Sequence, residues 1–142
     1  MKAKQASVHH IVLTTNGIAG ACAAAAVLLR QPNAHIQFTS PRHLPKALEL
    51  LSAGGFTGTI HIGGIGISPP LADLLASLRA MADSVSIEWY AAADHPEVHR
   101  HAARLKRHAR LHGGTAATTA QAIIDTLRVK GSARALLLTE LA

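Results

Sequence analysis

The chain has 142 residues, of which 49% are hydrophobic and only 15% are charged, so it can bury the core of one domain beneath an unusually neutral surface. Fourteen basic and eight acidic side chains give a net charge of +6, with ten histidines in addition, and this balance favours anionic partners. Aromatic residues amount to 3%, which argues against binding of single strands by base stacking. A single cysteine, Cys22, excludes an internal disulfide.

Targeting signals are missing from the pattern at the start of the chain. A signal-peptide apolar region is not present there, and the longest apolar run, residues 18–29, is shorter than the roughly 20 residues that a membrane-spanning helix needs. We therefore expect a cytoplasmic protein that does not enter a membrane.

The first two thirds of the chain alternate strand-like and helix-like segments. β-branched and apolar residues predict strands over 8–14, 35–39, 59–62 and 85–90. An alanine-rich segment, 18–30, predicts a helix that Pro32 ends. Two further helices are predicted after the second and third strands, where Ser40 and Ser68 each precede proline in the manner of an N-cap.

The last third is richer in helical patterns. A long basic helix is predicted over 96–111, with Asp94 as its N-cap, and another helix over 115–129. The apolar segment 133–141 fits either a strand or a helix.

Strands that alternate with helices predict an α/β fold: a three-layer αβα sandwich with a mainly parallel sheet of four to five strands, ordered 2-1-3-4. Ligands of such sheets bind at the carboxyl ends of the strands. The segments expected to form a site are therefore 14–20, 40–43, 63–68 and 91–96.

These segments carry a resemblance to a known family. TTNGIAG at 14–20 precedes a helix of small residues, FTSPRHL occupies 38–44, IHIGGIGI occupies 60–67, and IEWYAAA occupies 87–93. In this order they resemble the DHH phosphoesterase family, which includes RecJ-type nucleases and oligoribonuclease or polyphosphate hydrolases. The resemblance extends over 8–127 and implies one DHH-like domain, 1–142, without the second, DHHA1-type domain that active members usually add.

The resemblance is confined to framework positions. Where the family has metal-binding aspartates and histidines, this chain has small residues: Gly17, Ala19, Gly64, Ala91, Ala92 and Ala93. The family uses a pair of manganese or magnesium ions to activate water at phosphorus, and glycine and alanine side chains supply no ligand atoms. The resemblance therefore implies a pseudoenzyme without a metal cofactor. We expect it to bind a nucleotide, a nucleic acid or a protein, with a homodimer among the protein partners.

Polar groups remain in the four segments. The candidate ligand-binding residues are Thr14, Thr15, Asn16, Ser40, Arg42, His43, Ser68, Asp94 and His95. Arginine can hold a phosphate through two hydrogen bonds. The alternative is that these residues only cap helices and form turns. A second alternative keeps catalysis, as a residual metal-dependent phosphoesterase with a displaced site around Asp94, His95 and His43.

The predicted basic helix carries two further candidates. Arg100, Arg104 and Arg107 point away from its apolar stripe, so they are candidates for nucleic-acid binding, or else a solvated face. His101, His108 and His112 lie near one line, and the last two have the i,i+4 spacing of zinc ligands. The alternative for the histidines is a proton-sensitive or merely solvated surface.

Overall fold

The computed structural model describes residues 9–113 and 116–127. The strands are β1 (His10–Thr14), β2 (His35–Phe38), β3 (Gly58–Gly63), β4 (Val85–Tyr90) and β5 (Arg110–His112). The helices are α1 (Ile18–Arg30), α2 (Leu44–Ala53), α3 (Leu71–Arg79), α4 (Pro96–Arg100), α5 (Ala102–Leu105) and α6 (Thr119–Leu127). Within these residues, no helix is long and apolar enough to cross a membrane.

The strands form one all-parallel sheet in the order β2-β1-β3-β4-β5. This confirms the predicted α/β sandwich and the strand order 2-1-3-4, to which β5 adds one edge strand. All the strands run the same way, so the segments after β1 to β4 emerge along a single edge of the sheet, which we call the carboxyl edge.

The face of the sheet under α2 and α3 is apolar. Side chains of β1, β3 and β4 at alternate positions pack there with the leucines of these helices: Ile11, Leu13, Ile60, Ile62, Ile87, Trp89, Leu44, Leu48, Leu74 and Leu78. Alternation with a period of two explains why these strands could be predicted from sequence.

The opposite face is covered by α1 and α6, which contact each other. Val12 and Tyr90 of the sheet pack there against Ala23, Val27 and Ile123. The alanines of α1 let the helix lie close to the strands, and the end of β3 is equally tight. A Cβ added at Gly63 would stand 3.3 Å from methyl groups of α6.

The prediction of one long basic helix over 96–111 is wrong. The chain instead forms two short helices, α4 and α5, and then enters the sheet as β5. Glu88, Trp89 and Tyr90 of β4 are paired with β5. This pairing is non-local, so the helical pattern of the segment did not reveal it. The predicted helix over 115–129 is represented by α6, and the segment 133–141 lies outside the described residues.

Three predicted N-caps have different roles. The turn at 41–43 separates Ser40 from α2, which begins at Leu44, and the hydroxyl of Ser40 accepts the backbone N–H of His43 within that turn. Pro70 is the N-cap of α3, whereas Ser68 donates to the carbonyl of Pro69. Asp94 does not cap α4, whose N-cap is His95. The helices α2 and α3 begin later than the prolines that follow Ser40 and Ser68. The helix α4 begins at Pro96 as predicted, but Asp94 accepts hydrogen bonds from α6 instead.

Candidate ligand-binding crevice

The carboxyl edge brings together the ends of β1, β2, β3 and β4. The segments 14–20, 40–43, 63–68 and 91–96 all leave the sheet on this side. The candidate residues on them divide into two groups, one beyond β1 and β2 and the other beyond β3 and β4.

The turn from β1 into α1 is closely packed. The buried hydroxyl of Thr14 donates to the carbonyl of Gly20 at 3.1 Å. A Cβ at Gly20 would overlap the backbone carbonyl of Thr15, so only glycine fits there. Gly17 is the N-cap of α1 and its conformation (φ 156°) suits glycine, so no side chain caps the helix. The first turn of α1 also has no acidic residue, so its positive end is not neutralised by a side chain.

The turns after β1 and β3 are joined by a hydrogen bond. The hydroxyl of Thr15 donates to the carbonyl of Gly64 at 2.8 Å. Gly64 has a left-handed conformation (φ 71°), and a Cβ there would lie 3.2 Å from the Thr14 hydroxyl. The gap between β1 and β3, where ligands of this sheet order commonly bind, is thus narrowed by the protein's own backbone.

The open concavity lies instead between the turns after β1 and β2. We call it the crevice; its volume is about 360 Å³, and it is lined by Asn16, Phe38, Thr39, Ser40 and His43. The Ser40 hydroxyl is 2.8 Å from Nδ1 of His43. The Thr39 N–H donates to the carbonyl of Thr14 at 2.8 Å, which fixes the turn after β2 to β1.

The crevice and the turns beside it combine polar groups with exposed apolar ones. Phe38 is 54% exposed, although aromatic side chains are usually buried. Ile18, which follows Gly17 at the start of α1, is 71% exposed. Arg42 is exposed on the turn beside His43. The lining residues include no carboxylate, so the crevice does not repel an anion.

At the other half of the carboxyl edge, which we call the closed half, Asp94 is exposed but both oxygens of its carboxylate are bound by protein donors. One of its oxygens accepts the Ala92 N–H at 3.3 Å, and the other accepts the Thr119 N–H at 3.0 Å. The Thr119 hydroxyl donates to the same carboxylate at 3.0 and 3.1 Å. Asp94 therefore sits at the first residue of α6, where a negative charge is favourable. Its oxygens are engaged by protein donors and are not directed at a metal.

His95 and Ser68 lie on the same closed side. Nδ1 of His95 is 3.6 Å from the carboxylate of Glu97, and that carboxylate fills the space next to Gly66, where a Cβ would overlap it. Ser68 is bound to its own neighbour, Pro69. The structure does not bring His95 or Asp94 into the crevice with His43.

The residues present do not fit the metal pair of DHH phosphoesterases. Ala91 and Ala92 are buried, Gly17 and Gly64 have no side chain, and the carboxylate of Asp94 is used as described. Among residues 9–113 and 116–127, no three His, Cys, Asp or Glu side chains form a group that could hold a metal ion.

The candidates on the predicted basic helix are dispersed. Arg100, Arg104 and Arg107 are exposed on α4, on α5 and after it. His101 lies between the two short helices, and His108 lies in the turn before β5. Nε2 of His112 is 2.6 Å from Glu88, so the three histidines no longer share a helix face.

A polar row lies under α1 and α6 and was not predicted from the sequence. Nε2 of His61 is 3.0 Å from Nδ1 of His10, and Nδ1 of His61 is 2.9 Å from the Tyr90 hydroxyl. Burial, with His10 and His112 nearby, lowers the pKa of His61 to about 4, and burial raises the pKa of Tyr90. Both groups are therefore neutral near pH 7. The only sequence signal was a histidine between two isoleucines in a predicted strand.

Comparison of the chain with protein-family models, with curated proteins and with solved structures gave no match.

Proposed function

We propose that this chain is a catalytically inactive DHH-like domain that binds a small phosphate-bearing ligand of the nucleotide class in the crevice. The observation that carries the proposal is the crevice itself: a concavity lined by an exposed aromatic residue together with hydroxyl, amide and imidazole groups. Binding, rather than catalysis, is the function that these side chains support. The proposal includes a cytoplasmic location.

The chemistry of the lining matches the parts of a nucleotide. The Phe38 ring can stack on a base, as aromatic side chains do in many nucleotide sites. Asn16 and Ser40 of the lining, and Arg42 on the adjacent turn, can donate hydrogen bonds to phosphate oxygens. The uncapped start of α1 follows Asn16 directly and adds a positive end that favours an anion.

The DHH resemblance supports the inactive part of the proposal. Phosphoryl transfer in that family requires metal ions held by several carboxylates and imidazoles. In this chain the corresponding positions have glycine and alanine, and the neighbouring Asp94 is bound to Ala92 and Thr119. Loss of these ligands also removes negative charge that would repel a phosphate when no metal is bound.

Calorimetric titration with AMP and with inorganic phosphate, both in the presence of EDTA, tests the proposal. We expect AMP to bind without metal, and Asn16→Ala to weaken binding by about tenfold, the loss of roughly one charge-assisted hydrogen bond. Asn33→Ala is the matched control, because Asn33 is exposed in a loop that does not line the crevice. Phe38→Ala should weaken AMP binding but leave phosphate binding unchanged.

Two results would count against the proposal. Absence of AMP and phosphate binding at millimolar concentration would remove the crevice as a nucleotide site. Manganese-dependent hydrolysis of bis-p-nitrophenyl phosphate that is lost in Asp94→Ala would instead favour the residual phosphoesterase. The unfolding transition of each variant, measured in parallel, separates loss of activity from loss of fold.

A further inference from the structure

The basic segment 98–112 is the largest concentration of charge in the chain. It holds five of the fourteen lysines and arginines and none of the eight acidic residues. Because this segment folds into α4, α5 and β5 instead of one helix, Lys106, Arg107 and His108 lie in the turn that leads into the edge strand β5.

Two adjoining concavities bring part of the segment together with Arg79. A cavity of about 270 Å³ is lined by residues that include Lys106 and Arg110, and one of about 200 Å³ by residues that include Arg79 and Arg107. The two cavities share His108, together with Val85 and Ile87 of β4. We call the five basic residues around them the basic surface: Arg79, Lys106, Arg107, His108 and Arg110.

Carboxylates on the basic surface are outnumbered by its cations. Glu88 lines the first cavity, but its side chain is bound to His112 at 2.6 Å and lies 3.6 Å from Arg110. Asp83 lines the second cavity. In the described part of the chain, neither Lys106 nor Arg107 forms an ion pair, so both cations are available to an anionic partner.

The composition of the surface discriminates between anionic partners. The exposed large hydrophobic residues of the described chain are Ile18, Phe38 and Leu50, and none of them lines these cavities. The large apolar residues that line the cavities, such as Val85 and Ile87, are buried or half-buried, so a protein partner would find little apolar area there. Single-stranded bases would find no aromatic ring to stack on. Phosphate groups are the anionic partner that this surface suits, because guanidinium groups bind phosphates through two parallel hydrogen bonds.

We propose that the basic surface binds the phosphate backbone of a double-stranded nucleic acid. The basic surface contains no long helix that could enter a groove of the duplex, so we expect binding to depend on charge and not on base sequence. Val85 and Arg110 are the first residues of their strands, whereas the crevice follows the last residues of β1 and β2. The basic surface is thus at the opposite edge of the sheet and does not depend on the proposed nucleotide site.

Fluorescence anisotropy with a labelled DNA duplex and an RNA duplex of equal length tests this proposal. We expect both duplexes to bind, with an affinity that falls steeply between about 50 and 200 mM salt. The double variant Lys106→Gln/Arg107→Gln should bind about tenfold more weakly and lower the salt slope by about 2, the loss expected for two phosphate contacts. The variant Lys46→Gln/Arg30→Gln removes the same charge elsewhere and should bind nearly as the original chain does.

Several outcomes would overturn the proposal. Equal weakening by the two double variants would show that net charge alone attracts the duplex. Tighter binding of a single strand than of the duplex would show that bases are contacted. Binding of polyglutamate without binding of either duplex would point to an acidic protein partner. Thermal unfolding of both double variants controls for the fold, and since all four side chains are exposed, we expect unchanged midpoints.

Discussion

The two halves of the carboxyl edge use similar residues in opposite ways. Beyond β1 and β2, the polar groups of Asn16, Ser40 and His43 face an open crevice. Beyond β3 and β4, Asp94 is bound to Ala92 and Thr119, and Glu97 fills the space beside Gly66. The bond between Ser40 and His43 stays within one open turn, whereas the bonds of Asp94 join the end of β4 to α6. Only the first half therefore leaves open space for a ligand.

The small residues of the two halves are also placed differently. At 17 and 19 they leave the start of α1 exposed to solvent. At 91 and 92 the alanines are buried and belong to the core. The exposed turn leaves room for an anion, whereas the buried alanines leave no room for a ligand.

The largest expected effect comes from crowding the turn between β1 and α1, in the open half of the carboxyl edge. In Gly20→Ala the new Cβ overlaps the backbone carbonyl of Thr15, and backbone cannot move aside without shifting β1 or α1. We expect a loss of about 3 kcal/mol in the free energy of unfolding, measured with denaturant. Gly54→Ala is the control: its φ of −79° suits alanine and its nearest contact is 3.3 Å. An equally small effect at both positions would contradict the tight turn.

Acid should destabilise the hydrogen-bonded row of His10, His61 and Tyr90, the last of which ends β4 next to the closed half. The pKa of His61 is lowered from 6.5 to about 4, so the unfolded chain binds a proton at a higher pH than the folded chain does. The contribution of neutral His61 to the free energy of unfolding is complete above pH 6.5 and is lost as the pH falls towards 4. The total loss is about 3 kcal/mol.

Denaturant unfolding at several pH values measures this loss. His61→Gln should flatten the stability profile over this range, whereas His35→Gln, an exposed histidine of β2, should leave it unchanged. A stability profile of His61→Gln with the same slope as that of the original chain would rule out His61 as the titrating group.

Removing the charge of Asp94 should open the closed half without affecting the crevice. Asp94→Asn keeps the shape but weakens the bonds from Thr119 and Ala92 and one favourable interaction with α6. We expect a destabilisation of about 2 kcal/mol, read from denaturant unfolding. AMP affinity should stay the same. Asp83→Asn serves as the control, since Asp83 is exposed as Asp94 is, whereas the bonds from Thr119 go to Asp94; a loss as large in that variant would be contrary to the assigned role.

The smallest effect concerns the bond that joins the two halves. Thr15→Val removes the donor to the Gly64 carbonyl, at a cost of about 1 kcal/mol in stability. Thr57→Val, at an exposed threonine before β3, should change stability by less. An unchanged midpoint for Thr15→Val would show that the turns are held together by packing alone.

The sequence predicted the sheet better than the segment that completes it. Alternating apolar residues marked β1 to β4, and the alanine-rich helix has the predicted bounds, Ile18–Arg30. The strand Arg110–His112 overlaps the end of the predicted helix, because its partner, Glu88–Tyr90, is distant in the chain and no local pattern indicates the pairing.

The site was predictable in location but not in detail. The segments after the strands follow from the parallel order, and Asn16, Ser40 and His43 do meet in one crevice. Phe38 was assigned to a strand and not to the site, because exposure of one ring cannot be deduced from alternation. The role of Asp94 at α6 depends on a contact 25 residues along the chain, which lies beyond any capping pattern.

The most direct test of the account is the amide spectrum of the isotopically labelled chain during titration with AMP in EDTA. We expect the amides of residues 16–20, 38–40, 42 and 43 to shift together with one affinity, while those of Ala92, Asp94 and Thr119 stay in place. Shifts centred on Ala92, Asp94 and Thr119, or no shifts at millimolar AMP, would contradict it.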